Sequence, residues 1–209
     1  SVPRRGATWS RRGVLLRDLP YPDPNPLLPV RSTFDGRASS VSPADFVDWK
    51  FAKDYGLQQI HLDAMMASHN DADHYGGLSD LLNVQAINEL DAQDVRVDAF
   101  YHAGIAWWTN SATGERWLGP TSPDKKFLTQ LMEERPQVAA ALQDNANPKL
   151  QGEWADFMRD VTQTKTFVGS ATPIHRLSQV DDHLPGFDGS NGGVAIRLLA
   201  PFQSNFNAQ

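Results

Sequence analysis

Cysteine is absent from the 209-residue chain. This absence excludes disulfide bonds, thiolate metal sites and cysteine nucleophiles, so any metal must be bound by nitrogen and oxygen atoms. The chain also lacks an apolar run near the roughly 18 residues that a membrane-spanning helix needs. We therefore expect no segment that crosses a membrane.

Positive charge is scarce as well. The 25 Asp and Glu residues outnumber the 19 Lys and Arg residues, which gives a formal net charge of −6. A protein that binds nucleic acid or an anionic membrane through charge presents a basic surface, so broad binding of either kind is not expected. The net charge does not exclude a local basic groove. The sequence does not determine the oligomeric state or the compartment, although a cytoplasmic location is favoured.

The first 41 residues show little periodicity. Proline stands at every second position from residue 20 to residue 26, which prevents a helix and favours an extended path. We predict an extended arm or edge strand over 1–41, with a partly disordered leader as the alternative. The chain length and an apolar content of 40% predict one globular domain over 42–209.

Helical and strand patterns alternate in this domain, as in an α/β fold. Pro43 and Asp45 are residue types favoured in the first turn of a helix. The first half is predicted to contain helices over 43–55 and 77–83, strands over 60–67 and 95–101, and a hairpin over 106–118. The second half is predicted to contain a helical insertion over 121–163, which opens with a helix from Thr121 and includes an amphipathic segment over 149–162. Strands are predicted near 174–180 and 194–200.

Two features of the second half have alternative interpretations. Loop 181–193 is rich in carboxylates and glycine, as calcium loops are, but it lacks the Asp-x-Asp-x-Asp-Gly register. Trp107, Trp108 and Trp117 form either a stacking platform for bases or sugars or the packing of a hairpin, and hairpin packing is favoured.

The strongest chemical signal directly follows the strand at 60–67. His69, Asp71, Asp73 and His74 place four metal-ligand types within six residues. His69 and Asp71 are two apart, and in an extended loop such residues can turn toward a common point. Asp73 and His74 lie beyond a bend and would face a second point, so the loop predicts two half-sites. Two divalent ions about 3.5–4 Å apart can activate a bridging hydroxide for hydrolysis. The alternative is a solvated acidic loop.

The segment from Ser68 to Leu78 resembles the metallo-β-lactamase superfamily, whose signature is His-x-His-x-Asp-His after a strand. Here the segment reads Ser-His-Asn-Asp-Ala-Asp-His-Tyr-Gly-Gly-Leu, with Asp71 at the place of the second histidine. This variant looks most like the branch that includes the hydrolase domain of bacterial DNA-uptake competence proteins. The segment from Tyr101 to Gly104 also looks like one that follows in relatives of this branch.

The resemblance implies a metallo-β-lactamase-like αββα sandwich. It implies that His69 and Asp71 bind one metal, that Asp73 and His74 bind the second, and that Asp73 also orients the nucleophilic water. It further implies a metal-dependent hydrolase that uses a metal-bound hydroxide, with a phosphodiester or a small molecule as substrate. Zinc is the first expectation for the metal, and the oxygen ligand at Asp71 makes manganese the alternative.

The sequence also departs from the family pattern. The further histidines and the bridging aspartate of later strands are not found, and the chain resembles a middle portion of the fold. His102 ends a predicted strand and is the further candidate metal ligand, with an ordinary packed residue as its alternative. His61 is expected to be structural. The rival hypothesis is a non-catalytic fragment or interaction module that keeps part of the fold.

Overall fold

The structure is a computed structural model that describes residues 43–82 and 94–202. The arm predicted over 1–41 lies outside these residues. The described part of the chain is a mixed α/β protein, as its sequence predicts. None of the helices in this part combines the length and the apolar character needed to cross a bilayer.

The described residues form four α-helices and nine short strands. The helices are α1 (Pro43–Trp49), α2 (Ala72–Leu82), α3 (Arg135–Ala141) and α4 (Gly152–Gln163). The strands are β1 (Gln59–Leu62), β2 (Met65–Ala67), β3 (Asp94–Val97), β4 (Phe100–His102), β5 (Trp108–Thr109), β6 (Arg116–Trp117), β7 (Ile174–Arg176), β8 (His183–Asp188) and β9 (Ala195–Arg197).

Two long, broken strands run side by side in parallel. β1 resumes as β2 after Asp63 and Ala64, and β3 resumes as β4 after Asp98 and Ala99. β1 pairs with β3 and β2 pairs with β4, both in parallel, while β7 pairs in parallel with the other side of β4. The break in the first strand therefore lies beside the break in the second.

Parallel pairing requires a crossover connection between successive strands, usually one that carries a helix. Helix α2 lies in the connection from β2 to β3, and α4 lies in the connection from β4 to β7. The two helices pack against each other. The carboxyl ends of β2, β4 and β7 lie in one row, because Ala67, His102 and Arg176 are in register.

The main core lies between the parallel strands and helix α4. Trp154 and Phe157 of α4 are fully buried against Tyr75 of α2 and Phe100 of β4. The Phe157 ring centroid lies 5.0 Å from that of Tyr75 and 5.7 Å from that of Phe100. Aromatic pairs at such distances stabilise a core beyond the area they bury. Apolar spacing in the sequence predicts this helix, and the structure confirms it.

The helix predicted from Thr121 is wrong. Thr121 and Leu128 instead form an antiparallel bridge that closes a loop. The Ser122 hydroxyl donates to Asp124 Oδ1 at 2.5 Å, and the same carboxylate oxygen accepts the backbone N–H of Lys126 at 3.2 Å. Such local side-chain hydrogen bonds offer the backbone an alternative to the helical ladder. The helices of the predicted insertion are therefore α3 and α4, after this loop.

The loop predicted over 181–193 contains a strand. Residues His183–Asp188 form β8, which pairs antiparallel with β9 with an irregular register. Glycine in a strand marks a bulge rather than a loop, and Gly186 has a φ of +87°. The Asp182 carboxylate lies 2.9 Å from His183 Nδ1 and 3.3 Å from Arg197 Nε. The Asp182 carboxylate is thus engaged by side chains of the hairpin itself.

Gly76 and Gly77 of α2 provide a matched test of helix packing. A Cβ atom at Gly77 would lie 2.8 Å from Pro43 Cγ, whereas a Cβ at Gly76 would meet nothing within 4 Å. We expect Gly77→Ala to lower the free energy of unfolding by about 1–3 kcal/mol through overpacking against α1. Gly76→Ala should raise it by about 0.5–1 kcal/mol through helix propensity. Urea unfolding of both variants measures the difference, and equal effects would contradict the contact.

Candidate metal centre at the carboxyl edge of the strands

The residues of the predicted metal loop lie at the carboxyl end of β2. His69 and Asp71 follow this strand directly, while Asp73 and His74 lie in the first turn of α2. The helix thus begins five residues before its predicted start at Gly77. The His74 N–H donates to Asp71 O at 2.9 Å, and a carboxylate in the first turn suits the positive end of the helix dipole.

The two imidazole rings of this loop are in contact. The ring centroids of His69 and His74 lie 3.7 Å apart. Ser68 Oγ lies between them, 3.2 Å from His69 Nδ1 and 3.3 Å from His74 Nδ1. A hydroxyl can donate to one ring nitrogen and accept from the other. Ser68 therefore holds both rings by the Nδ1 side, and the Nε2 atoms point toward the carboxylates.

Each Nε2 atom has a carboxylate oxygen close to it. His69 Nε2 lies 3.4 Å from Asp71 Oδ2, and His74 Nε2 lies 3.7 Å from Asp73 Oδ2. A tetrahedral ion with bonds near 2.0–2.2 Å spaces its ligands about 3.3–3.5 Å apart. The loop therefore offers two pairs of one nitrogen and one oxygen donor at separations that suit a shared ion. The two carboxylates are exposed, so solvent reaches both pairs.

A tryptophan from the following hairpin anchors the loop. Trp107 Nε1–H donates to the backbone oxygen of Asn70 at 3.0 Å, and Asn70 is buried. The guanidinium carbon of Arg116 lies 4.5 Å from the centroid of the Trp107 ring. Trp108 is buried in the core. These two tryptophans are engaged in packing and in holding the loop, which fits the hairpin interpretation of the aromatic cluster.

His102 occupies a different environment. Its ring is 2% exposed, Nε2 donates to Glu133 O at 2.9 Å, and Nδ1 accepts the Gly104 N–H at 2.9 Å. The pKa of His102 is lowered to about 4, chiefly by burial; the hydrogen bond to Glu133 raises it, and the nearby Arg176 and His175 lower it. Both ring nitrogens are thus used within the protein. Metal binding by His102 stays a prediction that requires one of these bonds to break.

The structure also assembles a donor group that the sequence does not predict. One ligand atom each from His61, Asp63 and Asp98 lies within 4.8 Å of the others, so the group could hold a metal ion. Burial raises the pKa of Asp63, with Asp98 raising it further and His61 lowering it. The available signal is that His61 and Asp63 are two residues apart in the predicted strand over 60–67, where alternate side chains share a face. Asp98 becomes their neighbour only through strand pairing.

A cavity lies at the same edge of the strands as the metal loop. It has a volume of about 500 Å³. Its walls include Ala103 after β4, Arg176 of β7, and Lys126 of the loop that Thr121 and Leu128 close. The Arg176 Nε donates to Glu133 Oε2 at 2.6 Å, which orients the guanidinium. The cavity therefore combines two cationic side chains with apolar walls.

The buried His102 generates a pH dependence of stability. Its pKa is about 4 in the folded chain against 6.5 for an ordinary histidine. Between these values the unfolded chain binds a proton that the folded chain does not, so stability falls as pH decreases from 6.5 to 4. At about 1.4 kcal/mol per pKa unit, the loss is about 3 kcal/mol.

We expect His102→Gln to reduce this dependence of stability on pH, since glutamine does not titrate in this range. Urea unfolding of the wild type and the variant at pH 7.0 and pH 4.5 measures the difference. Thr172→Ala is the matched control, because it removes a buried hydroxyl that donates to Val97 O and does not titrate. This variant should lower stability at both pH values and keep the wild-type pH dependence. An unchanged slope in His102→Gln would show that His102 is not buried in its neutral form.

No protein family, curated protein or solved structure matches the chain in sequence or structure comparisons.

Proposed function

We propose that this chain is a metal-dependent hydrolase of the metallo-β-lactamase type, in which the loop from Ser68 to His74 binds the catalytic metal. The observation that carries the proposal is the arrangement of His69 and His74. Their rings are in contact at 3.7 Å, and each Nε2 lies within 3.7 Å of a carboxylate oxygen. A solvated acidic loop has no reason to bring two imidazoles together in this way.

The position of the loop supports the proposal. In α/β proteins, ligands bind beyond the carboxyl ends of parallel strands, where the connecting loops meet. The loop follows β2 at this edge, and Ala67 at the end of β2 is in register with His102 at the end of β4. The hydrogen bond from Trp107 to Asn70 fixes the backbone between the donors. A site held by neighbouring elements is the kind that catalysis needs.

The donors fit the proposed chemistry. Imidazole nitrogen and carboxylate oxygen together suit zinc, and the larger oxygen share also suits manganese. When bound, the metal supplies Lewis acidity and an activated water molecule for hydrolysis. His69 and Asp71 would hold one ion, and Asp73 and His74 a second. The exposed Asp73 carboxylate would also accept a hydrogen bond from the attacking water and orient it.

A phosphodiester is the substrate class we propose. The cavity at the same edge is lined in part by Lys126 and Arg176, and cationic side chains recognise phosphate oxygens. Asp124 lies 3.6 Å from Lys126 and Glu133 lies 2.6 Å from Arg176, so a bound phosphate would share these cations with two carboxylates. Apolar walls contributed by Phe127 and Leu131 would contact the organic part of the substrate.

The alternative is a binding module that keeps part of the fold without turnover. One observation favours this alternative: the loop at 68–74 brings its metal donors together in two pairs, each of one nitrogen and one oxygen. Within residues 43–82 and 94–202, the group whose three donors converge is His61, Asp63 and Asp98. A complete dinuclear centre requires more ligands than the loop provides.

Removal of one donor from each pair tests the proposal. The wild type, after exposure to zinc or manganese and removal of excess ion, should hydrolyse bis(p-nitrophenyl) phosphate. His69→Ala and Asp73→Ala should each reduce kcat/KM by about 100-fold or more, since even an indirect partner of a metal costs 10–100-fold. Metal content per chain should fall with activity when measured by atomic emission.

Asp80→Ala is the matched control. Asp80 is an exposed carboxylate on the same helix, and its loss should leave both metal content and kcat/KM unchanged. Activity that survives in both His69→Ala and Asp73→Ala would refute the proposed site. Metal binding at the loop without hydrolysis of any phosphodiester or small ester would favour the binding module.

A further inference from the structure

The side chains of His61, Asp63 and Asp98 meet where the two parallel strands break. Leu62 is paired with Val97, and the Asp98 N–H donates to Leu62 O at 2.8 Å. Asp63 and Asp98 are the next residues on each strand, so the register that aligns the breaks also aligns the two carboxylates. His61 lies in β1, two residues before Asp63, and its ring reaches the same group.

The three ligand atoms lie close enough for one ion. All lie within 4.8 Å of one another, and His61 Nε2 is 3.0 Å from Asp98 Oδ2. Ligands around an ion with bonds near 2.0–2.2 Å are separated by about 3.3–3.5 Å. Closing the group around an ion therefore requires side-chain shifts of about 1 Å, which the rotamers of Asp63 can supply.

The buried oxygen of Asp63 indicates a missing partner. Asp63 Oδ2 is inaccessible to solvent and has no hydrogen-bond partner within the described residues. Leaving a buried carboxylate oxygen without a donor costs free energy, and a structure rarely retains such an atom. A cation bound between Asp63, His61 and Asp98 would satisfy this oxygen.

The loop before β7 orients two of the three side chains. The Phe167 N–H donates to Asp98 Oδ1 at 2.8 Å, which leaves Oδ2 directed at His61. The Phe167 ring stacks on the His61 imidazole with centroids 4.7 Å apart and planes 18° apart. Hydrogen bonds and packing of this kind hold metal ligands in position in known metal sites.

The group is accessible and separate from the loop at 68–74. The side chains of His61 and Asp98 are 15% and 38% exposed, so an ion can enter from solvent. Asp63 lies before β2 and His69 lies after it, and the two groups have no residue in common. Each group therefore has its own donors.

We propose that His61, Asp63 and Asp98 form a second site, which binds one divalent transition-metal ion, Zn²⁺ or Mn²⁺. One nitrogen and two oxygen donors fit these ions. The ion links the two strands at their breaks, so its binding stabilises the folded chain. This site does not depend on the proposed hydrolase function, because it uses different residues at a different place on the strands.

Zinc titration in a background that lacks the loop site tests the proposal. The chain with His69→Ala and His74→Ala, stripped with a chelator, is titrated with Zn²⁺ by calorimetry and heated with and without the ion. We expect one equivalent to bind and the Tm to rise. Adding Asp63→Asn should weaken binding by about 10-fold or more and abolish the rise in Tm.

Asp94→Asn is the matched control in the same background. Asp94 lies on β3 and contacts Gln59 and Arg96, outside the group. This variant should bind Zn²⁺ as the background does. Absence of binding in the background, or equal binding with and without Asp63→Asn, overturns the site.

A measurement without substitution at the site protects the test against a variant that does not fold. The ¹⁵N signals of the His61 imidazole are followed by NMR during addition of Zn²⁺ to the same background. A shift of the Nε2 signal that saturates at one equivalent supports the site. An unperturbed His61 signal at excess Zn²⁺ overturns it. The failures of the two proposals are distinguishable. Hydrolysis that survives in His69→Ala and Asp73→Ala overturns the hydrolase site and leaves the His61 site standing, whereas an unperturbed His61 signal overturns the second site alone.

Discussion

The parallel pairing of the two broken strands is the constraint on which the rest of the structure depends. Leu62 pairs with Val97 before the breaks and Met65 with Phe100 after them, so the breaks are matched in length. Because parallel strands share one direction, their carboxyl ends meet at one edge. The same pairing therefore directs the loop after β2 to the edge near the cavity, and brings two carboxylates from distant parts of the chain together at the breaks.

The aromatic core holds this pairing in place. Parallel strands are usually covered by helices, because their connections pass across the faces of the sheet. Phe157 of α4 contacts both Tyr75 of α2 and Phe100 of β4. Tyr75 directly follows His74 along the chain, so the packing that stabilises the core also fixes the first turn of α2. Helix α2 therefore connects the aromatic core to the loop at 68–74.

The three groups of histidines differ in the way their environment uses the ring. His69 and His74 lie at the surface with Nε2 toward exposed carboxylates, which is the arrangement that a metal can enter. His61 is partly buried beside two carboxylates. His102 is fully buried with both ring nitrogens hydrogen-bonded, and burial keeps it neutral. The residue type is the same in each case, and access to solvent and hydrogen bonding distinguish these four histidines.

The sequence by itself determined the α/β alternation, the amphipathic helix α4 and the donor pattern from His69 to His74, because these are local and periodic. It failed at Thr121, where side-chain hydrogen bonds of Ser122 and Asp124 replaced a helix. Only the tertiary structure decided the environment of His102 and the meeting of His61 with Asp98. Burial and strand register join residues that are far apart in the chain, and no local pattern encodes such contacts.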